Sequence, residues 1–273
     1  MSTVPSGWTG GAFGERAQCV LAPNPNIMTL DGTNTWVLRE PGSRRCVVID
    51  PGPPDPSHLS AIEAVAGEVG AVLLTHHHVD HSESAKEFAT RWGCGVRALD
   101  PHYRLGSEGL GDGDVVEVDG LEIRVVGTPG HTADSLSFLV QAEHAVLTGD
   151  TVLGRGTTVV AHPDGELGAY LDSLDRLHAL AESRDVASIW PGHGPVITDA
   201  LAALDFYLAH RQQRLDQVRD AVRTLVGEPH PEGIATEDLP RQVVELVYSD
   251  VDPVLWGAAE LSVRAQLAYL QTR

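Results

Sequence analysis

The chain has 273 residues, 42% of them hydrophobic, which suits one large domain or one domain with a small appendage. Its 19 basic residues stand against 38 acidic ones, and the formal net charge of −19 argues against binding of duplex DNA through its phosphates. No apolar run approaches the ~20 residues of a membrane span, and the Gly-, Ser- and Thr-rich start lacks the pattern of a signal peptide. We therefore predict a cytoplasmic protein without a membrane partner.

The first half of the chain reads as strands interrupted by helices. Strand-like segments lie at residues 17–21, 35–39, 46–49 and 72–75. Helix-like segments lie at residues 56–66 and 82–92. This order predicts a sheet whose strands are connected by helices.

Between the last of these strands and the following helix lies the spacing H-x-H-x-D-H, formed by His76, His78, Asp80 and His81. Four residues of metal-ligand type within six positions fit neither one face of a helix nor an alternating strand. We predict a loop that folds around metal at the carboxyl end of a strand, where α/β layers place their chemistry. Four groups are too many for one catalytic zinc and too few for two, so further ligands are expected.

The second half predicts more strands, one long helix and a last short strand. The strands are expected at residues 115–118, 121–126, 135–140, 145–148 and 188–190. The helix is expected at residues 167–182, where Leu171, Leu174 and Leu177 recur at helical spacing. Both halves together predict the α/β (α+β) class, with two packed mixed sheets and helices outside, an αββα sandwich.

Three later residues have the chemistry to complete two metal sites. His131 lies in Thr-Pro-Gly-His-Thr, Asp150 closes an apolar run, and His193 lies in Trp-Pro-Gly-His-Gly-Pro. Each follows a predicted strand and has Gly or Pro nearby, which lets the backbone turn sharply and direct the side chain inward.

After Thr198, a plausible N-cap, the chain becomes helical, with predicted helices to residue 226 and at residues 236–248 and 253–269. Residues 227–273 carry three arginines against eight carboxylates, which disfavours phosphate binding by this tail. We predict a catalytic domain at residues 1–200 and a helical appendage at 201–273 that packs over the pocket or forms a homodimer contact. In its first helix, His210 and Arg211 are candidates to reach an anionic substrate.

These motifs, in this order, resemble those of the metallo-β-lactamase superfamily over residues 17 to 200. The resemblance implies the αββα sandwich and two zinc ions per chain, with manganese or iron as alternatives. It implies a first metal held by His76, His78 and His131. It implies a second metal held by Asp80, His81 and His193, with Asp150 bridging the two.

Four shorter segments resemble the branch around β-lactamase-like protein 2: residues 24–26, 32–36, 49–52 and 207–211. That branch has a short winged-helix-like tail, and its characterised animal member cleaves single-stranded RNA. Only four residues follow Tyr269 here, too few for a wing hairpin.

Two further polar residues have competing interpretations. Asp50 closes the strand at residues 46–49 and either forms a turn before Pro-Gly or accepts the N–H of a ligand histidine. Asn34 either lines the mouth of the pocket or bonds the backbone of a turn, and the turn is favoured.

The sequence thus predicts a two-metal hydrolase in which a metal-bridged hydroxide is the nucleophile and Asp80 passes a proton to the leaving group. The preferred substrate is a phosphodiester of single-stranded RNA, and the alternatives are a small-molecule thioester of the glyoxalase II kind and a β-lactam as a side activity. A non-enzymatic, metal-stabilised binding protein is the remaining alternative, which the complete set of ligand positions disfavours.

Overall fold

Two mixed β-sheets stacked face to face form the centre of the computed structural model, which describes residues 7–226 and 238–272. The first sheet has six strands in chain order, and its strands are β1 (Gly10–Phe13), β2 (Ala17–Leu21), β3 (Asn34–Leu38), β4 (Arg45–Ile49), β5 (Glu68–Leu73) and β6 (Val96–Arg97). Strands β1 to β4 are antiparallel neighbours, whereas β4, β5 and β6 run parallel. The parallel strands are connected by helices α1 (Pro56–Ala66), α2 (Val79–Ser82) and α3 (Ala85–Trp92).

The second sheet has the order β11-β10-β9-β8-β7. Its strands are β7 (Val115–Val118), β8 (Leu121–Gly127), β9 (Leu136–Val140), β10 (Ala145–Gly149) and β11 (Ser188–Pro191). All its neighbours are antiparallel except β10 and β11, which are parallel and connected through helix α4 (Leu167–Arg184).

The alternation of side chains explains why helices cover both outer faces. In β4, Val47 and Ile49 point into the core between the sheets, while Cys46 and Val48 pack under α1 and α3. The second sheet is covered in the same way. Leu147 packs in the core between the sheets, whereas other buried side chains of that sheet face α4. At the end of the core nearest β11, Trp36 and Trp190 stack with ring centroids 5.0 Å apart. The predicted αββα sandwich is confirmed.

Three helices complete the described chain: α5 (Ala200–Val226), α6 (Leu239–Val247) and α7 (Trp256–Gln271). The first half of α5 packs on α4 through Leu204 and Tyr207, and its second half packs with α6 and α7 through Val218 and Val222. One unbroken helix therefore belongs to both the sandwich and the appendage. The division at residues 200 and 201 stays a prediction, and part of the predicted helix at 236–248 lies outside the described residues.

Several local predictions differ from the structure; β5, for example, ends at Leu73, two residues before the end of the predicted strand. Strand β1 was not predicted, because its Gly-rich sequence lacks apolar alternation; Gly10 adopts φ +75, and a Cβ there would lie 2.5 Å from the Cys19 carbonyl oxygen. The predicted helix at residues 82–92 begins at Ala85 as α3, and a separate short helix, α2, ends at Ser82 before it. None of the described helices is both long enough and apolar enough to cross a membrane.

Candidate metal centre

The H-x-H-x-D-H motif begins as a loop after β5 and ends as a helical turn. His76 and His78 lie in the loop, but Asp80 and His81 lie in α2, so the prediction of an all-loop motif is wrong for its second half. The carbonyl oxygen of His78 accepts hydrogen bonds from the backbone N–H groups of His81 and Ser82, both at 3.0 Å. This turn folds the second pair of side chains back toward the first.

The remaining three residues arrive from the ends of strands in the second sheet. His131 follows β8, Asp150 follows β10 directly, and His193 lies two residues after β11. The parallel neighbours β10 and β11 end side by side, and Gly192 N donates to Gly149 O at 2.8 Å. A Cβ on Gly192 would lie 2.5 Å from Asp150 Oδ1, so only glycine allows this approach.

The ligand-type atoms form three overlapping groups of three; one contains His76, His81 and Asp150, and the other two share no residue with each other. In the first of these two, His78 Nδ1 lies 3.1 Å from both His76 Nε2 and His131 Nε2. In the second, His193 Nε2 lies 3.2 Å from both His81 Nε2 and Asp80 Oδ2. We call these groups the first trio and the second trio.

Asp150 lies between the two trios. Its Oδ2 is 3.2 Å from His193 Nε2 and 3.8 Å from His131 Nε2, and its Oδ1 is 3.5 Å from His81 Nε2. The buried Oδ1 atom has no hydrogen-bond partner. A buried carboxylate whose oxygens lie near both trios, and whose Oδ1 keeps an unused lone pair, has the chemistry of a shared ligand.

The spacing and charge of these atoms fit divalent metal ions. Two nitrogens bound 2.0–2.1 Å from one tetrahedral zinc are separated by roughly 3.3 Å, close to the separations within the trios. Burial lowers the pKa of His76 well below its usual value and that of His78 to about 4, so both present neutral nitrogens at pH 7. Burial also lowers the pKa of His193, but Asp150 and Asp80 outweigh it and raise that pKa to about 9. A cation would replace the proton held there.

Asp50 and Thr75 fix the orientation of two histidines in the trios. Asp50 Oδ2 accepts from His81 Nδ1 at 2.9 Å and from the Thr75 hydroxyl at 2.6 Å, and Asp50 Oδ1 accepts from Thr75 N at 2.8 Å. Because the Thr75 hydroxyl donates to Asp50, the His76 Nδ1–H donates to Thr75 Oγ1 at 2.9 Å. Both histidines therefore present Nε2 to the cluster. The sequence interpretation did not identify Thr75.

Asn34 supports the turn that carries His193. It is buried, and its Nδ2 donates to Pro191 O at 2.9 Å and to Gly194 O at 2.8 Å. The Trp36 indole donates to the same Pro191 oxygen at 3.2 Å, and His193 Nδ1 donates to the Gly32 carbonyl oxygen at 3.1 Å. Asn34 thus bonds the backbone of a turn next to a candidate ligand.

The other two candidates, His210 and Arg211, are not brought to the trios. Arg211 is only 4% exposed, and its Nη2 donates to Thr158 O at 2.6 Å. His210 is half-buried and stacks on Phe206, with ring centroids 5.9 Å apart. Helical periodicity could have indicated the inward direction of Arg211, since it falls on the buried stripe of α5 that contains Leu204, Tyr207 and Leu215.

A family model described as the metallo-beta-lactamase superfamily matches residues 28–193. The lactamase-like protein adaB of Aspergillus niger is 32% identical over 266 residues, which cover 90% of this chain and 81% of the relative. The beta-lactamase-like protein 2 homolog of Drosophila melanogaster is 31% identical over 276 residues, which cover 92% of this chain and 86% of the relative.

Solved structures share the fold. A beta-lactamase domain protein from Burkholderia ambifaria superposes with a TM-score of 0.78 at 21% identity, over 98% of this chain and 89% of that one. The protein TTHA1623, solved in a di-iron-bound form, superposes with a TM-score of 0.53 at 26% identity, over 67% of this chain and 97% of that one.

Proposed function

Because the chain belongs to the metallo-beta-lactamase superfamily of hydrolases, we propose that it is a binuclear zinc hydrolase that acts on a thioester. The observation that carries the two-metal assignment is the position of Asp150, whose carboxylate contacts histidines of both trios. The histidine-rich donor set favours zinc, while iron is the alternative supported by the di-iron form of TTHA1623.

Two bound metal ions would acidify a shared water toward neutral pH and polarise the substrate oxygen. The chain's own residues supply orientation and proton transfer. Asp50 and Thr75 hold the ring tautomers of His81 and His76. The Asp80 side chain is 24% exposed against 11% for Asp150, so it is the carboxylate better placed to pass a proton to a leaving group.

The charges around the site favour an acyl substrate over a polyanion. Recognition of phosphate usually relies on arginine or lysine, and Arg155 and Arg211 already have partners within the protein. Arg155 is ion-paired with Asp31, and Arg211 is bonded to a backbone carbonyl.

A second argument for an acyl substrate comes from an apolar residue within the H-x-H-x-D-H motif. Val79 lies between His78 and Asp80 and is 68% exposed. We infer that this valine contacts the hydrocarbon part of an acyl group, since its side chain offers no hydrogen bond to a phosphate or a base.

Cleavage of single-stranded RNA is the second candidate. It is supported by the match over most of its length to the fly beta-lactamase-like protein 2 homolog and by the suitability of paired metals for phosphodiesters. A β-lactam is expected to be at most a side substrate, and a non-enzymatic role is disfavoured because all seven ligand positions are filled. The cytoplasmic location and the homodimer contact stay predictions.

The test combines metal content and substrate turnover in one preparation. Protein purified without chelator is analysed for metals and assayed with a glutathione thioester, a fluorescent single-stranded RNA, nitrocefin and bis-p-nitrophenyl phosphate. We expect about two zinc ions per chain and turnover of the thioester. RNA cleavage with an untouched thioester would instead establish the second candidate.

Two matched variants distinguish the activity of the metal centre from that of contaminating enzymes. Asp150→Ala removes the shared carboxylate and is expected to lose one metal and most of the activity. His178→Ala removes a part-buried histidine of α4 that is bonded to Asp205 of α5 and belongs to neither trio, and it is expected to behave as the unchanged protein. Two metals and full turnover in Asp150→Ala would refute the assignment.

A further inference from the structure

His131 depends on a loop carbonyl for its orientation. Its Nδ1 donates to Val159 O at 2.6 Å, with the Thr158 hydroxyl oxygen also near at 3.3 Å. The opposite nitrogen, Nε2, is therefore the one directed at His78 and Asp150. A histidine that ligates metal commonly fixes its tautomer in this way.

The loop that supplies this carbonyl spans residues 150–166 between β10 and α4 and contains no helix or strand. Hydrogen bonds instead attach it to helices α4 and α5. Tyr170 of α4 donates to Thr151 O at 2.7 Å, and Tyr207 of α5 accepts from Leu153 N at 2.8 Å. The first residues of this loop are thus held by contacts from outside it.

Arg211 of α5 contacts the residue that precedes Val159. Its Nη2 donates to Thr158 O at 2.6 Å, and its guanidinium lies 4.8 Å from the centroid of the Tyr170 ring. Within the described residues no carboxylate lies within ion-pair distance of Arg211, and its buried Nε has no hydrogen-bond partner. Burial of a cation without an anion is costly. A structural role for the hydrogen bond to Thr158 would explain why an arginine occupies this buried position.

We propose that Arg211 is a positioning residue for His131. By holding the Thr158 carbonyl, it restricts the adjoining peptide so that the Val159 carbonyl stays directed at His131 Nδ1. The helical appendage then contributes to the metal centre although none of its side chains is a ligand. This inference rests on the proposed function, because it gives Arg211 a role in orienting His131, a member of the first trio.

The test uses Arg211→Met, which keeps the apolar stem and removes the donor. Loss of the hydrogen bond to Thr158 is expected to lower the metal affinity of one of the two sites about 10- to 100-fold. The affinity is measured by chelator competition with zinc and with cobalt(II). The Nδ1–H resonance of His131, assigned in histidine-labelled zinc protein by its absence in His131→Gln, is expected to shift or to exchange faster. Arg211→Lys keeps one donor and is expected to retain an intermediate affinity.

Arg214→Met is the matched control. Arg214 lies on the same helix, donates to the Val247 carbonyl at 2.8 Å and covers the Tyr248 ring at 4.6 Å, but these contacts are to the region of α6 and not to the loop. It is expected to change stability without changing metal affinity. Should Arg211→Met fail to fold, Arg211→Gln is judged by the same criteria.

The outcomes separate this inference from the proposed function. If unaltered protein binds two metals and turns over substrate, but Arg211→Met binds both metals with unchanged affinity and an unchanged His131 resonance, only the positioning role is overturned. If unaltered protein takes up no metal on addition of zinc, the proposed function itself fails.

Discussion

Asp50 is the buried carboxylate on which two candidate ligand histidines depend, directly for His81 and through Thr75 for His76. Its backbone has φ +50, a conformation that asparagine tolerates well. Asp50→Asn should therefore fold, while the loss of negative charge beside His81 lowers metal affinity about tenfold. Chelator competition measures the effect, and an affinity equal to that of the unchanged protein would contradict this role.

His58 gives the stability of the fold a pH dependence of its own. Burial lowers its pKa from 6.5 to about 4, and its Nε2 donates to the Thr35 hydroxyl, which itself donates to Asp50 O. Between these values the unfolded chain binds the proton and the folded chain does not, so stability falls as the pH drops through this window. At about pH 5 the loss is about 2 kcal/mol relative to about pH 7.5.

His58→Gln keeps a donor for Thr35 but cannot titrate. Denaturant unfolding at both pH values, at matched metal concentration, should show a smaller acid loss in the variant by about 2 kcal/mol. Equal losses in the two proteins would show that His58 is not the group responsible.

The residues that the structure brings together in the two trios could be predicted from the sequence, because metal chemistry limits the residue types and the strand ends limit their places. His131 and His193 are isolated histidines, and only their order after His76 and Asp80 marked them. The contacts that orient these histidines were harder to predict from the sequence. The carbonyl of Val159 carries no sequence signal at all, because any residue offers that oxygen.

At the scale of elements, the attachment of the loop at residues 150–166 to α5 can be tested separately from Arg211. Tyr207→Phe removes the acceptor of the Leu153 N–H and leaves a buried amide without a partner, at a cost of about 1–3 kcal/mol. Faster hydrogen exchange at Leu153, together with a lower midpoint of unfolding, is expected. Tyr248→Phe, which keeps the ring under Arg214, is the control and should leave Leu153 exchange unchanged.

Prediction of elements succeeded where apolar spacing was regular and failed where special backbone geometry decided. The stripe of Leu171, Leu174 and Leu177 predicts α4 closely, although the helix extends to Arg184. By contrast, α2 forms within the metal motif because its turn closes on the His78 carbonyl, which composition does not reveal. Strand β1 forms because Gly10 can approach Cys19, a contact between distant positions that no local pattern encodes.

For the whole molecule, the net charge of −19 distinguishes the two substrate classes by their response to salt. A polyanionic RNA is repelled at low ionic strength, so kcat/KM for RNA should rise several-fold between about 0.01 M and about 0.15 M salt as screening increases. A thioester with little charge should respond weakly. A fall in kcat/KM for RNA with salt would contradict the repulsion and indicate a local basic surface.

The stacked pair of Trp36 and Trp190 gives this protein an internal optical probe. Trp190 precedes the turn that carries His193, and the Trp36 indole donates to Pro191 within that turn. Indole emission responds to the electric field and hydrogen bonding of the ring, so occupation of the second trio should change the fluorescence intensity without any label. Titration of metal-free protein with zinc would then report the filling of that trio in real time. In a parallel titration with cobalt(II), the absorption bands of the bound ion would report the filling of both trios.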